Sequence, residues 1–473
     1  SCSKNTSNSS CLALDCFTNA ATSLFTAASF TFIFGDDNPN SFYDAFKYRN
    51  IGPTRGGRVT AIDGVDKTPG IFYMGATGGA LFKTSDFGIT SKNISDKYFE
   101  TPSIGAISVY QKICDGQFSF LLESAESTDR AGRFSFIGSD PRAVIEARGP
   151  SIKISKGNKV DEFQSECGDS LKELEVFMSS YLSVSVSGLP VFYGGAVGYL
   201  SYDAVRYFEP TINEPANDDL GLPDMVFMIT QNVVIFDHRL RKLLIVSNVY
   251  TEEGEELQTL YDNASKEIGK IIQKLDRSLD FRPLIKGVKT DNVKYKSNTS
   301  KDEYYDMVNK AKEFIHSGDA FQIVLSQRFE VDFPGTSIDL YRALRSVNPS
   351  PYMFCLKLGG DFSLVGCSPE VHVRAIDNKI EIRPIAGTRW RGGTVAEDNA
   401  LAEELLSDPK ERAEHIMLVD LARNDVGRVS DYETVVVDEF MIVEKYSHVM
   451  HIVSNVSGQL SDCLLYTSDA ADE

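Results

Sequence analysis

The 473-residue chain is 42% hydrophobic and 24% charged, the balance of a soluble globular protein with room for one large domain or a few ordinary ones. Its net charge of −19 argues against a nucleic-acid partner, which would need a basic stripe, and no run is long enough for a membrane span. The cysteines (Cys2, Cys11, Cys16, Cys114, Cys167, Cys355, Cys367 and Cys463) form no CxxC pair and read as reduced cytosolic thiols rather than a disulfide framework.

In chain order, residues 1–40 are rich in Ser, Thr, Asn and Ala and stay unassigned. The apolar run 16–35 suits a signal h-region, but Lys4 is the only nearby cation and no clear cleavage site follows. With Ser1 first, this end reads as a fragment or a processed terminus. Residues 41–108 alternate strand-like runs with Gly-rich turns. Within them TSDFGITS (84–91) resembles the Asp-box of sialidase- and sortilin-type β-propellers, with Ser91 where an aromatic is usual. A single blade cannot bury its own sheet faces, so this piece is expected to be a propeller-blade-like fragment, either a fusion or a chimera.

The text changes near Val109. Residues 109–138 and 191–209 carry strand patterns with glycine turns, and 170–182 and 255–275 read as helices. Residues 225–250 read as two long strands turning at 237–239. The charged, aperiodic stretch 276–293 marks an internal boundary, giving regions 109–280 and 297–460 joined by a connector at 281–296. In the second region Ser300 and Glu303 make a capping box. The helix it opens has Met307, Val308, Ala311, Phe314 and Ile315 as a core stripe and stops at Gly318. Strands follow in hairpins: 321–331, then Tyr352–Leu358 with 363–367, then 371–376 with 379–385 around Asp377 and Asn378. Hairpin groups with helices between them predict an α+β fold of mostly antiparallel sheets.

The most informative stretch is SDPKERAEHIMLVDLARND (407–425). Asp408 is placed as an N-cap, Pro409 at the first helical position and Glu411 three residues after the cap. Ala413, Ile416, Met417, Leu421 and Ala422 form the expected apolar stripe, with Gly427 just past the end. Glu411 and Glu414 share one helix face. They offer the oxygen ligands that Mg²⁺ takes; equally, Glu411 closes a capping box and Glu414 is a solvated charge.

PIAGTRWRGG (384–393), the 407–425 segment and YSHVMHIVSNVSG (446–458), in that order, resemble the chorismate-utilising enzymes and, within them, anthranilate synthase component I. The resemblance runs from about residue 109 to about residue 460. It implies two packed, mostly antiparallel β-sheets covered by helices, with a cleft between, and a pattern incomplete at the C-terminus. The tail 461–473, containing CLLYTSDAADE, reads as a translated library adaptor.

What the resemblance implies of function is specific. Such a lyase works in the cytoplasm, in tryptophan biosynthesis. It replaces the hydroxyl of chorismate with ammonia from a glutamine amidotransferase subunit (component II), then eliminates pyruvate to leave anthranilate. Glu414 and Glu411 would bind Mg²⁺, His451 would be catalytic, and Gly387 and Thr388 would contact substrate. LLES (121–124) and NPSPYMF (348–354) imply a tryptophan feedback pocket of Ser124, Pro351, Tyr352 and Met353. His415 and His448 are left as packing or supporting residues. Ala386 stands where aminodeoxychorismate synthase component I carries a nucleophilic lysine, and Gln322 where isochorismate synthases carry a lysine base; neither side chain can do that work. Trp390 departs from the proline that is frequent in the family. The near rival is aminodeoxychorismate synthase. Rivals of another class are a secreted β-propeller binding module, for which one degenerate Asp-box is too few, and a non-catalytic chimera. Because the family's later motifs (a GAPK-type segment, further metal ligands and a substrate-binding arginine) are missing, the chain as written is expected to give no anthranilate fluorescence with Mg²⁺, chorismate and ammonium.

Overall fold

The computed structural model describes residues 104–461, apart from 125–131, 278–293 and several shorter stretches, together with five short strands before residue 104. The chain divides into two compact units, residues 1–280 with 344–473 and residues 281–343. The early strands are β1 (Ser9–Ala13), β2 (Val59–Gly64), β3 (Phe72–Ala76), β4 (Ala80–Thr84) and β5 (Lys92–Asn93); β2 to β5 form an antiparallel sheet in chain order. The Asp-box-like residues after Thr84, most of the 276–293 boundary and the adaptor-like tail lie outside the described residues.

Helix α1 (Ile104–Ile113) comes next, where the text from residue 109 predicts strand. Ala106, Ile107, Tyr110 and Ile113 are buried, so the 3.6-residue period prevails. After it run β6 (Phe118–Glu123), β7 (Phe134–Ser139), β8 (Ala143–Arg148), β9 (Ser151–Lys156) and β10 (Lys159–Gln164). Helix α2 (Ser170–Ser179) starts at Asp169, whose carboxylate accepts the Leu171 and Lys172 N–H groups. Then come β11 (Ala196–Leu200), β12 (Met225–Ile229), β13 (Asn232–Asp237), β14 (Lys242–Tyr250) and α3 (Leu257–Leu275). Three strands thus replace the two expected across 225–250. The chain leaves one sheet after β12, which pairs with β8 and β11, and enters another at β13, which pairs with β7 and β14.

The 281–343 unit carries β15 (Lys296–Ser297), α4 (Lys301–Ser317), β16 (Phe329–Glu330) and the start of α5 (Ser337–Val347). The Ser300–Glu303 capping box forms and Gly318 closes α4 at φ +87°. The expected core stripe does not form: no α4 residue is buried, and Phe314 is 44% exposed. Nor is 321–331 a full strand. Only β16 pairs, with β15, and Phe321 is 91% exposed. An alternating pattern needs a neighbouring strand to become one, and among the described residues the rest of this stretch has none.

The remaining elements are β17 (Tyr352–Leu358), β18 (Ser363–Ser368), β19 (Arg374–Ile376), β20 (Lys379–Ile382), β21 (Ile385–Trp390), α6 (Val395–Ser407), α7 (Pro409–Val429), β22 (Val436–Lys445) and β23 (Val449–Gln459). Asp377 and Asn378 take φ of +50° and +60°, as a two-residue hairpin turn demands. The expected strand 379–385 breaks before Pro384, which has no N–H for the ladder.

A seven-stranded antiparallel sheet, β1-β14-β13-β7-β6-β17-β18, faces a five-stranded one, β10-β9-β8-β12-β11. Phe120, Val233, Ile235 and Leu356 of the first interleave with Val144, Val226 and Met228 of the second to form the main core. Helix α2 covers the outer face of the smaller sheet through Leu171, Leu174 and Phe177. In a third sheet β23 is the spine: β20 pairs with its far end, β21 with its start and β22 along its other edge. Leu405 of α6 packs on Met450 and Ile452, while Val419, Ala422 and Val426 of α7 pack on Ile380 and Val456. This is the expected α+β architecture of packed antiparallel sheets covered by helices.

Two details of α7 differ from expectation. Its buried face is His415, Val419, Ala422 and Val426, so of the expected stripe only Ala422 is buried, and Leu421 is 55% exposed. Both stripes fit the helical period, and period alone does not choose between them. The helix also runs through Gly427 to Val429, with Ser430 at its end. Among the described residues no helix is long and apolar enough to cross a membrane.

Candidate active site

The site is built around Gly387. Strands β21 and β23 pair with a bulge there: Ala386 faces Ile452, Thr388 faces His451, and Gly387 is the extra residue. Its φ of +69° lies in the left-handed region that glycine tolerates best. The bulge aims the Gly387 carbonyl at His451, whose Nδ1 is 3.0 Å from that oxygen and 3.2 Å from Thr388 Oγ1. A carbonyl only accepts, so Nδ1 carries the proton and Nε2 is the basic nitrogen of the neutral ring. The Tyr446 ring stands edge-on to this imidazole at 5.5 Å.

Glu411 approaches the same glycine from α7. A Cβ added to Gly387 would lie 3.2 Å from Glu411 Oε2, 3.1 Å from Leu405 Cδ1 and 3.3 Å from Ile452 Cδ1. Asp408 caps α7 by accepting the Lys410 and Glu411 N–H groups at 2.9 and 3.4 Å, with Pro409 in the first turn. The Asp408 N–H is taken by the carbonyls of Glu404 and Leu405, so the Glu411 side chain is turned elsewhere, to 3.8 Å from both Arg389 and Lys410. Arg389 also pairs with Glu404 at 3.0 Å and Asp408 at 2.8 Å. Glu414 lies one turn further along, half-buried. Two carboxylates one turn apart suit Mg²⁺, which keeps several waters and takes few protein ligands. Among the described residues no group of three or more His, Cys, Asp or Glu side chains is placed to hold a metal ion.

Sequence reasoning missed Glu370. It follows β18, accepts a hydrogen bond from the Ile385 N–H and lies within reach of the His372 and His451 charges. Partial loss of water around its carboxyl outweighs these and pushes its pKa above the usual carboxylate value, while the residue as a whole stays exposed. No local pattern marks it; its meaning comes from the neighbouring strand.

His415 is a packing residue. It is fully buried, with Nε2 2.7 Å from Ser454 Oγ, and burial lowers its pKa. Ser454 Oγ in turn accepts the Met441 N–H at 2.9 Å, where β22 bulges with φ +53°. His448 is exposed. Ala386 is 8% exposed, with only a methyl group to offer; Gln322 belongs to the 281–343 unit. The residues expected to bind an inhibitor sit on the seven-stranded sheet. Ser124 follows β6, which pairs with β17 at Glu123 and Met353. Tyr352 and Met353 fall on opposite faces of β17, 38% and 1% exposed.

Two expected results arise here. Gly387→Ala should destabilise the fold by about 1–3 kcal/mol, through the strained φ and three tight contacts, read as a lower urea midpoint. The Arg391 hydrogen bonds hold the Asp398 carboxyl down to about 2, and those of Arg389 hold Asp408 below the usual carboxylate value of 3.8. Such groups bind fewer protons folded than unfolded. Their contribution is complete above about pH 4 and is lost as pH falls toward about 2. Thermal melts should therefore drop across that window, and less steeply in Asp398→Asn.

A description of the chorismate binding enzymes matches residues 118–464. Anthranilate synthase component 1 of Pseudomonas putida is 42% identical over 370 residues, covering 77% of this chain and 73% of that protein. The same enzyme component of Aquifex aeolicus (strain VF5) is 42% identical over 365 residues, covering 77% and 72%. The crystal structure of anthranilate synthase component I from Streptococcus pneumoniae TIGR4 aligns with a TM-score of 0.59 at 33% identity, covering 71% of each chain. The chain belongs to the chorismate binding enzyme family, in its anthranilate synthase component 1 branch.

Proposed function

We propose that the chain is the large subunit of an anthranilate synthase, converting chorismate and ammonia to anthranilate, pyruvate and water in tryptophan biosynthesis in the cytoplasm, with ammonia supplied by a glutamine amidotransferase subunit. The observation that carries this reading is the convergence on Gly387: His451 on its carbonyl and Glu411 against its α-carbon.

The residues divide the work. Glu411 and Glu414 would hold Mg²⁺, which supplies a Lewis acid and anchor for the ring carboxylate of chorismate. Gly387 and Thr388 line the strand edge where substrate lies. As ammonia forms the C–N bond, the ring hydroxyl leaves; its oxygen takes up a proton as water, and the ammonium nitrogen loses one, so the step balances. Elimination then removes a ring proton and breaks the ether C–O bond, and the enol released becomes pyruvate. His451 Nε2 is the base for that proton, because Nδ1 is committed to Gly387. The Ala386 methyl group cannot attack the ring, which leaves ammonia as the nucleophile. Tryptophan would bind apart from this site, with Ser124 as polar anchor and Pro351, Tyr352 and Met353 as apolar wall.

Calorimetric titration of chorismate into the chain tests the reading. Saturable binding is expected, strengthened by Mg²⁺ and weakened at least about ten-fold by His451→Ala; no binding in either condition would overturn it. Any arylamine formed with ammonium should be the ortho isomer, and a para isomer would favour the aminodeoxychorismate reading.

A further inference from the structure

Behind His451 lies a set of charges that helix capping does not require. Helix α6 already has a reciprocal cap: Thr394 Oγ accepts the Glu397 N–H at 3.2 Å and the Glu397 carboxylate accepts the Thr394 N–H at 3.1 Å. Asp398, the next residue, nevertheless has a side chain only 8% exposed. It accepts Arg391 Nε at 3.0 Å, Arg391 Nη2 at 2.6 Å and the Gly392 N–H at 2.7 Å.

Held this way, Arg391 reaches both sides of the turn between β22 and β23. Its Nη1 donates to the Tyr446 carbonyl at 2.5 Å, and its main-chain N–H donates to the His448 carbonyl at 3.1 Å. Lys445, at the end of β22, is tied to the same helix through Asn399 at 3.0 Å. Tyr446 stands edge-on to His451, and its hydroxyl donates to Glu444 at 2.8 Å. Glu444 is the cross-strand neighbour of His451 and is itself paired with Arg383 at 2.6 Å.

Contacts at Nδ1 alone, to the Gly387 carbonyl and the Thr388 hydroxyl, leave an imidazole able to pivot, since histidine χ2 is a broad, soft torsion. A second contact is needed to fix the ring plane, and the Tyr446 edge provides it. We propose that the Arg391–Asp398 pair is a positioning clamp for the His451 imidazole: it fixes the turn that carries Tyr446, and Tyr446 with the Gly387 carbonyl holds the ring in one orientation and one tautomer. This rests on the reading of His451 as the proton-transfer residue. Polar groups around that ring include the Gly387 carbonyl and Thr388 hydroxyl from β21 and Glu444 and Tyr446 from β22 and its turn, with the Glu370 carboxyl, after β18, interacting with it electrostatically.

The test is ¹⁵N NMR of histidine-labelled chain, the 6 histidines being few enough to assign, combined with hydrogen exchange of the β22–β23 turn. The parent chain should show one protonated and one bare ring nitrogen for His451. In Arg391→Lys and Asp398→Asn the two signals should move toward a common average, and exchange at residues 445–450 should rise about ten-fold or more. Tyr446→Leu leaves the clamp's main-chain bonds in place, so it should move the His451 signals without speeding exchange; it also decides the matter if a clamp variant fails to fold. Faster exchange with unmoved His451 signals would overturn the proposal, as would unmoved signals in Tyr446→Leu. Chorismate affinity should fall about ten-fold in all three variants. A parent chain that binds no chorismate would sink the functional reading alone, because the ring signals report on the clamp without substrate.

Discussion

Glu414→Gln is expected to abolish Mg²⁺-dependent tightening of chorismate binding while leaving the melting temperature within a few degrees of the parent. The side chain is half-buried on α7, away from the Val419, Ala422 and Val426 face that packs on the third sheet. The amide keeps the shape and removes the charge. Partners one step removed from a metal typically change affinity by about 10–100-fold, so loss of a direct ligand should exceed about 100-fold. Glu411→Gln should do less to the metal and more to the helix start, because Glu411 also answers Arg389 and Lys410. Titration of Mg²⁺ in the presence of chorismate, followed by calorimetry, measures both. An unchanged affinity in Glu414→Gln would remove that residue from the metal site.

Arg345→Ala should be the most damaging single change to the sandwich. Glu123 has no exposed side-chain surface and is held by Arg345 at 2.9 and 3.3 Å through two guanidinium nitrogens. Removing one partner of a buried pair strands the other charge and costs about 3–5 kcal/mol; replacing both with apolar residues of similar size should recover most of it. His238, hydrogen-bonded to Ser135 at 2.7 Å, senses the same pair. Burial lowers its pKa, Glu123 raises it and Arg345 lowers it. Without the guanidinium, His238 protonates more readily in the folded state. The deficit of Arg345→Ala should therefore be larger above about pH 7 than at about pH 5.5, where the imidazolium answers Glu123. Urea unfolding at both values checks the sign, and a pH-independent deficit would show that the histidine does not compensate.

What could be read from the sequence was local chemistry. Asp408 with Pro409, Ser300 with Glu303, and the Asp377–Asn378 turn all act over a few bonds, and all form as expected. What could not be read was tertiary. The stripe of α7 was rotated because a buried histidine occupies its inner face, and no hydrophobicity pattern places His415 there. The break between β12 and β13 depends on the one apolar run being shared by two sheets. Glu370 gains its character from the loss of water around its carboxyl, which outweighs the opposing influence of Ile385 and His451 on other strands. Tyr352 and Met353 alternate across β17, 38% and 1% exposed, by the period of two that any strand imposes.

The Glu123–Arg345 pair has a consequence for how the chain is made. Its partners are 222 residues apart, with the whole 281–343 unit begun and finished between them. At ribosomal rates of roughly 5–20 residues per second, β6 waits about 10–45 s for its counter-ion. Through that interval the growing chain has an uncompensated carboxylate at the end of β6 and an unpaired strand edge, which β17 later fills. The charge that is costly in isolation is also what discourages a second nascent chain from adding to that edge. Glu123 is thus an edge charge until Arg345 is made and a core residue afterwards.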